Sequence, residues 1–257
     1  MRASAAAPSH DDLSVEPPAR IRPGVMVQRW DRLSFLHWQF DPDVVGRLLP
    51  DALAVDEHQG AAWVGVIPFR LTVGLPGLPR VPWASRFPEV NVRTYVRGPD
   101  GRRGIWFLSL DASRLGAVLV ARATYRLPYV WARMRMRRAD GEVRYAGVLR
   151  WPGAPAASFE IGVHIGERIH RPSSLERFLT CRWRLYGPAP LSLPAARIGL
   201  EVTAVDHPPW PLYAAEVAHL VETLLAAAGL PAPDRAPIAH YSPGVSVRFD
   251  RRRETGD

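Results

Sequence analysis

The chain has 257 residues, a formal net charge of +8, 47% hydrophobic and 23% charged residues, enough for one large or two small domains. That composition excludes wholesale disorder, collagen and a coiled-coil rod. All 33 basic residues are arginine, which excludes chemistry through a lysine amine, and the one cysteine, Cys181, excludes an intrachain disulfide and a cysteine-built zinc site.

Residues 1–24, rich in Ala, Pro and charge, read as a flexible tail, and 251–257 as a basic tail, with one domain over 25–250 between them. The N-terminal stretch has no continuous apolar segment and carries Asp11, Asp12 and Glu16, so a signal peptide is not expected. Nor does any run of about 18 apolar residues predict a transmembrane helix. The expected location is a reducing cytoplasm.

Val25 to Phe40 is strand-like. Asp41-Pro42 caps a short helix over 42–49, because Asp accepts free N–H groups and Pro suits the first turn. Ala54–Glu57 and Ala61–Leu71 flank the turn His58-Gln59-Gly60 and predict a hairpin. Residues 74–88 carry too many prolines for regular structure. Glu89–Arg97 alternates: Glu89, Asn91, Arg93 and Tyr95 share one face, and Val90, Val92, Thr94 and Val96 share the other. The turn Gly98-Pro99-Asp100-Gly101 pairs this strand with Gly104–Asp111, which is apolar on both faces.

A helix is predicted over Ala112–Thr124, capped by Asp111 or Ser113. Tyr129–Arg138 and Glu142–Trp151 form a hairpin around Ala139-Asp140-Gly141. Ser158–Gly166 is another strand, and Ser173 to Glu176 has capping-box spacing. Cys181–Tyr186 and Ala196–Val205 read as strands. Pro211–Ala228 is expected as a helix whose stripe is Val217, Leu220, Val221, Leu224 and Leu225, ending at Gly229. Ile238–Phe249 is a last strand interrupted by Ser242-Pro243-Gly244. About ten strands joined by hairpins and about four helices define a β-rich α+β fold. A mostly antiparallel barrel or strongly curved sheet with a few peripheral helices fits this order.

Glu89, Asn91, Arg93 and Tyr95 form either a solvated outer face or the lining of a cavity; the neighbouring IWFLSL strand offers no polar face to match a solvated sheet. His37, at 35–39 in the first strand, is a buried or ligand-facing histidine, and His207 reads as structural. His164 and His170 lack metal-ligand spacing, so no metal and no cofactor are expected. Trp131, Arg133, Arg135 and Arg137 share a strand face, read as arginines paired with nearby acids or as a nucleic-acid stripe.

Eight segments in order resemble the YqjF-like family of uncharacterised bacterial proteins, in the acetoacetate-decarboxylase-like superfamily. They include FLHW (35–38), AAWVGVIPFRL (61–71), FPEVNVRTYV (87–96), GIWFLSLDA (104–112) and YRLPYVWARM (125–134). The others are SLERFLTCRWRLY (174–186), DHPPWPLYAA (206–215) and YSPGVSV (241–247). Cys181 stands where the family pattern has Glu. The resemblance implies a cone-like barrel with a central cavity and puts an active-site glutamate at Glu89. It also aligns Pro128 with the proline of a Pro-Lys-Lys stretch, so that Tyr129 and Val130 replace the lysines. Imine decarboxylation therefore does not carry over. Glu89, held at low pKa by Arg93, would exchange a proton, with Tyr129 as a phenol donor; Asn91, Arg93, Tyr95 and His37 would bind ligand. The expected partner is a small anionic or carbonyl-bearing metabolite, with no membrane. If the protein is an enzyme, it is a lysine-independent lyase, isomerase or hydrolase-type acid/base catalyst. The alternatives are a non-catalytic ligand-binding or regulatory module and a basic nucleic-acid-binding protein.

Overall fold

The computed structural model describes residues 13–21, 26–74, 85–116, 118, 128–151, 157–188, 200–250 and, as backbone, 253–254. Strands β1 (Met26–Phe40), β3 (Ala62–Gly74), β4 (Arg86–Arg97) and β5 (Arg103–Ala112) follow one another as antiparallel neighbours, with the two-residue β2 (Ala54–Val55) at the edge. Then come β6 (Tyr129–Ala139), β7 (Glu142–Trp151), β8 (Ser158–Arg168), β9 (Arg184–Pro188) and β10 (Leu200–Asp206). The last are β11 (Tyr213–Glu222), β12 (Ile238–Phe249) and β13 (Arg253–Glu254). Three short helices complete the described residues: α1 (Pro42–Gly46), α2 (Ser174–Thr180) and α3 (Leu224–Ala227).

Local chemistry sets these elements as the sequence indicates. Asp41 caps α1 and Pro42 opens it. Ser173 and Glu176 form a reciprocal capping box on α2. Asp140 and Gly141 both have positive φ, the geometry that a tight turn matching strand twist requires.

Pairing order closes a nine-strand barrel through β5, β6, β7, β8, β11, β12, β1, β3 and β4. Strands β9 and β10 make a second bridge from β5 to β12, so β12, β1, β3, β4 and β5 form a wall shared by two circuits. Among the described residues only the β5–β6 and β5–β9 pairs are parallel. The two faces of this wall differ in chemistry. Leu36, Trp38, Val64, Val66, Val90 and Val92 face into the nine-strand barrel, where they meet Ala132, Tyr145, Phe159 and Val163. Burying each such side chain contributes about 1.5–3 kcal/mol. Ser34 Oγ and Tyr145 Oη meet across that interior at 2.9 Å. Phe35, His37, Glu89, Asn91, Arg93 and Tyr95 take the opposite face, where α2 and residues 207–212 cover the end that holds Phe35, Arg93 and Tyr95.

The cover is fixed by specific contacts. Tyr95 packs on Phe178 at 5.3 Å, Trp210 stands edge-on to Phe35 at 5.3 Å, and Trp210 Nε1 donates to Thr180 O. Asp56 anchors its end: Arg182 Nη1 (2.6 Å) and Arg103 Nη1 (3.1 Å) donate to Oδ2, while Arg97 Nε lies 3.0 Å from Oδ1. Part of the stretch expected as a tail is seated on the body. Ile21 is buried and its N–H donates to Asp206, and Trp183 Nε1 donates to Ser14 O.

Four readings are corrected. Residues 213–222 form strand β11, not a helix, because Tyr213, Ala215 and Val217 alternate inward and pair with β8. A register shift after Val217 then brings Leu220 inward, so a strand with a bulge imitated helical spacing. Only the four-residue α3 is helical there, with Leu224 and Leu225 buried. The turn His58-Gln59-Gly60 exists, but β2 pairs with β4 rather than β3. β12 runs unbroken through Ser242-Pro243-Gly244, since Gly244 at φ 123° takes a conformation other residues avoid. Asp111 lies inside β5, not at a helix cap. The helix expected over 112–124 and the loop over 74–88 fall mostly outside the described residues.

Candidate functional site

The polar face of β4 is buried: Glu89 is 4% exposed, Asn91 and Arg93 5%, and Tyr95 fully enclosed. Register places His37, Gly65 and Arg93 in one cross-strand row. Gly65 is required there, because a Cβ would come within 2.7 Å of His37 Nε2. The missing side chain lets the imidazole lie over the wall, with Nε2 2.6 Å from Tyr95 Oη. Tyr95 donates its hydroxyl to Leu179 O at 2.7 Å, and Arg93 Nη2 reaches both Tyr95 Oη (3.4 Å) and Leu179 O (3.3 Å). The Arg93 guanidinium lies 5.7 Å from the centroids of both Phe35 and Tyr95.

Arg93 and Arg182 are both buried arginines over the Tyr95 ring, yet only Arg182 has a carboxylate. Among the described residues, no Asp or Glu bonds Arg93, and its Nε has no acceptor. Burial, then the nearby Arg93 and His240, push His37 well below the usual imidazole range, so it is neutral. His240 faces the same layer; burial lowers it against the opposing pull of Glu176, whose Oε1 lies 3.4 Å from its Nε2. His37 Nδ1, Asn91 Oδ1 and His240 Nδ1 are buried without a partner, beside the unpartnered Arg93 Nε.

The Glu89–Arg93 pair expected from the sequence does not form. Four residues along a strand span about 13 Å, so positions 89 and 93 share a face without touching. Tyr129 Oη donates to Glu89 Oε2 at 3.3 Å instead. The low pKa expected for Glu89 is corrected too: burial raises it to about 8, with Asp111 adding to the rise and the Tyr129 bond opposing it. Asp111 itself is raised to about 7 by burial, against a 2.7 Å bond from Ser109 Oγ. Burial and Glu89 hold Tyr129 well above the phenol range, so it serves as a neutral donor. At neutral pH Glu89 and Tyr129 are uncharged, Asp111 on the Val90 side of the wall titrates in that range, and the Arg93 end keeps an unbalanced positive charge.

The sequence reading thus names Glu89, Tyr129, Asn91, Arg93, Tyr95 and His37, and the structure gathers them in one buried layer. It splits them into a Glu89–Tyr129 pair and an Arg93–Tyr95–His37 group. Asp111, His240, Asp56 and the Leu179 carbonyl were missed. The signals for two of them were an acid ending an apolar strand and a histidine inside an alternating one. The Leu179 carbonyl has no side-chain signal. His207 is held by Pro208 O and packed, with tilted rings, between Trp183 and Trp210, with burial lowering it to about 4. Arg133, Arg135 and Arg137 are exposed on β6, and among the described residues none forms the ion pair expected for it; on the neighbouring β7, Arg144 pairs with Glu142.

The closed, mostly antiparallel barrel is shared with known structures. The enduracididine biosynthesis enzyme MppR complexed with pyruvate is similar with a TM-score of 0.63 and 15% identity, over 93% of this chain and 93% of that chain. An acetoacetate decarboxylase-like enzyme from Sphingomonas wittichii RW1 has a TM-score of 0.59 and 14% identity, over 92% of this chain and 95% of that chain. The fold is therefore of the acetoacetate-decarboxylase-like class. The family model DUF2071, described as an uncharacterized conserved protein, matches residues 27–246. The uncharacterized protein YqjF of Bacillus subtilis (strain 168) is 35% identical over 232 residues, 88% of this chain and 90% of that protein. The chain belongs to this YqjF-like DUF2071 family.

Proposed function

We propose that this protein binds a small anionic metabolite, of the size of a short oxo or hydroxy acid, in the layer between the β4 wall and its cover. The carrying observation is Arg93, a buried guanidinium without a carboxylate among the described residues. An isolated buried charge is costly, and a ligand carboxylate gripped by the guanidinium relieves that cost. Glu89 cannot relieve it, being displaced along the strand and protonated at neutral pH. The pyruvate complex of MppR, whose fold is similar, supports the size and charge class.

If the site is catalytic, the chemistry is proton transfer. A carboxyl that titrates near pH 8 beside a neutral phenol holds a proton at pH 7 and exchanges it near its working range. A lysine imine has no place in it, because the chain has no lysine. The test is calorimetric titration of the full chain with pyruvate, beside Arg93→Met. Breaking a buried charge-assisted contact costs about 2–5 kcal/mol, so the variant should lose at least about 30-fold in affinity. Equal affinity in both proteins would remove Arg93 from the site. Turnover lost but binding kept in Glu89→Gln separates an enzyme from a binding module. The unpaired arginines of β6 favour one other reading, a nucleic-acid surface; binding that falls steeply with salt would support it.

A further inference from the structure

The unpartnered atoms of the layer restrict its ligand further, and hydrogen-bond accounting gives each its sign. Tyr95 has one hydroxyl proton, and it goes to Leu179 O, because a carbonyl can only accept. His37 Nε2, 2.6 Å from Tyr95 Oη, must therefore be the donor of their bond. A neutral imidazole has one N–H, so His37 Nδ1 carries a lone pair, buried and without a donor. The same logic holds at His240. Its Nε2 faces the Glu176 carboxylate and must carry the proton, which leaves Nδ1 as a second buried acceptor without a donor. Asn91 is an amide able to turn either way, so it restricts nothing. Among the described residues the layer thus holds unmatched donors on Arg93 (Nε), Arg182 (Nη2) and Trp63 (Nε1), and two unmatched neutral imidazole acceptors on β1 and β12.

Resting on the anion-binding reading above, we propose that the ligand is a small hydroxy acid, with its carboxylate on Arg93 and its hydroxyl donated to His37 Nδ1 or His240 Nδ1. A simple oxo acid offers only acceptors and leaves both imidazole lone pairs unmatched. An amino acid offers donors, but its ammonium would enter a layer that already has an unbalanced guanidinium. A hydroxyl supplies the donor without charge.

Two matched pairs of acids test this on the full chain by calorimetry: lactate against pyruvate, and 3-hydroxybutyrate against acetoacetate. In at least one pair the hydroxy acid should bind about tenfold or more tightly than its oxo partner. His37→Gln and His240→Gln sharpen the test, because a Gln amide N–H can replace the Nε2 donor while the Nδ1 acceptor is lost. At least one of them should bring the two acids of the pair within about threefold of each other. Oxo acids binding as tightly as hydroxy acids would overturn the hydroxy-acid assignment and leave the anion site standing. So would a preference untouched in both glutamine variants. Failure of all four acids to bind would overturn both readings.

Discussion

Replacing Glu89 with glutamine should change how stability depends on pH. Burial lifts the folded-state carboxyl from 4.5 to about 8. Between those values the folded chain keeps a proton that the unfolded chain has lost. The stability is therefore fully present below about pH 4.5 and is lost as pH rises towards and through 8. The slope is up to about 1.4 kcal/mol per pH unit, and the whole window is worth at most about 5 kcal/mol. Asp111 adds a loss of the same sign between 3.8 and about 7. Glutamine resembles the protonated acid in size and keeps an acceptor for Tyr129, so the two proteins should melt within about 2 °C of each other at pH 4.5. At pH 8.5 the variant should be the more stable. A difference of about 3 kcal/mol in a chain this long corresponds to about 6–12 °C. Calorimetric melts from pH 4.5 to 9 give the comparison, and the Asp111 slope remains in both proteins. Parallel melting curves across that range would show that Glu89 is not a neutral buried acid at pH 7.

Leu224, 1% exposed, should cost about 2–5 kcal/mol when cut to alanine, lowering the melting temperature while ligand affinity of the folded protein stays unchanged. Asp56→Ala strips the carboxylate from Arg97, Arg103 and Arg182; a loss of about 3–5 kcal/mol in denaturant titrations is expected. Borohydride added with acetoacetate should leave every internal side chain unlabelled by mass spectrometry, since the chain has no lysine.

The sequence was legible where the local code and the tertiary setting agree. The alternation of 89–97, the turns at 98–101 and 139–141 and the capping box at 173–176 all appear in the structure. It misled where one pattern fits two periods: a bulged strand over 213–222 places Val217 and Leu220 inward three residues apart, as a helix would. It was also silent on what covers a strand. Alternation puts Glu89 and Arg93 on one face but does not reveal that α2 closes over one and Tyr129 approaches the other. The imidazole tautomers depend on Leu179 O and Glu176, which lie far along the chain from His37 and His240.

The most direct measurement is a crystal structure of the protein grown with lactate or 3-hydroxybutyrate. The ligand carboxylate should lie within hydrogen-bond distance of the Arg93 guanidinium, beneath α2 and Trp210, with Glu89 and Tyr129 in the same layer. A ligand seated among Leu36, Val90 and Phe159 inside the nine-strand barrel, or bound only at the outer arginines of β6, would contradict the placement of the site.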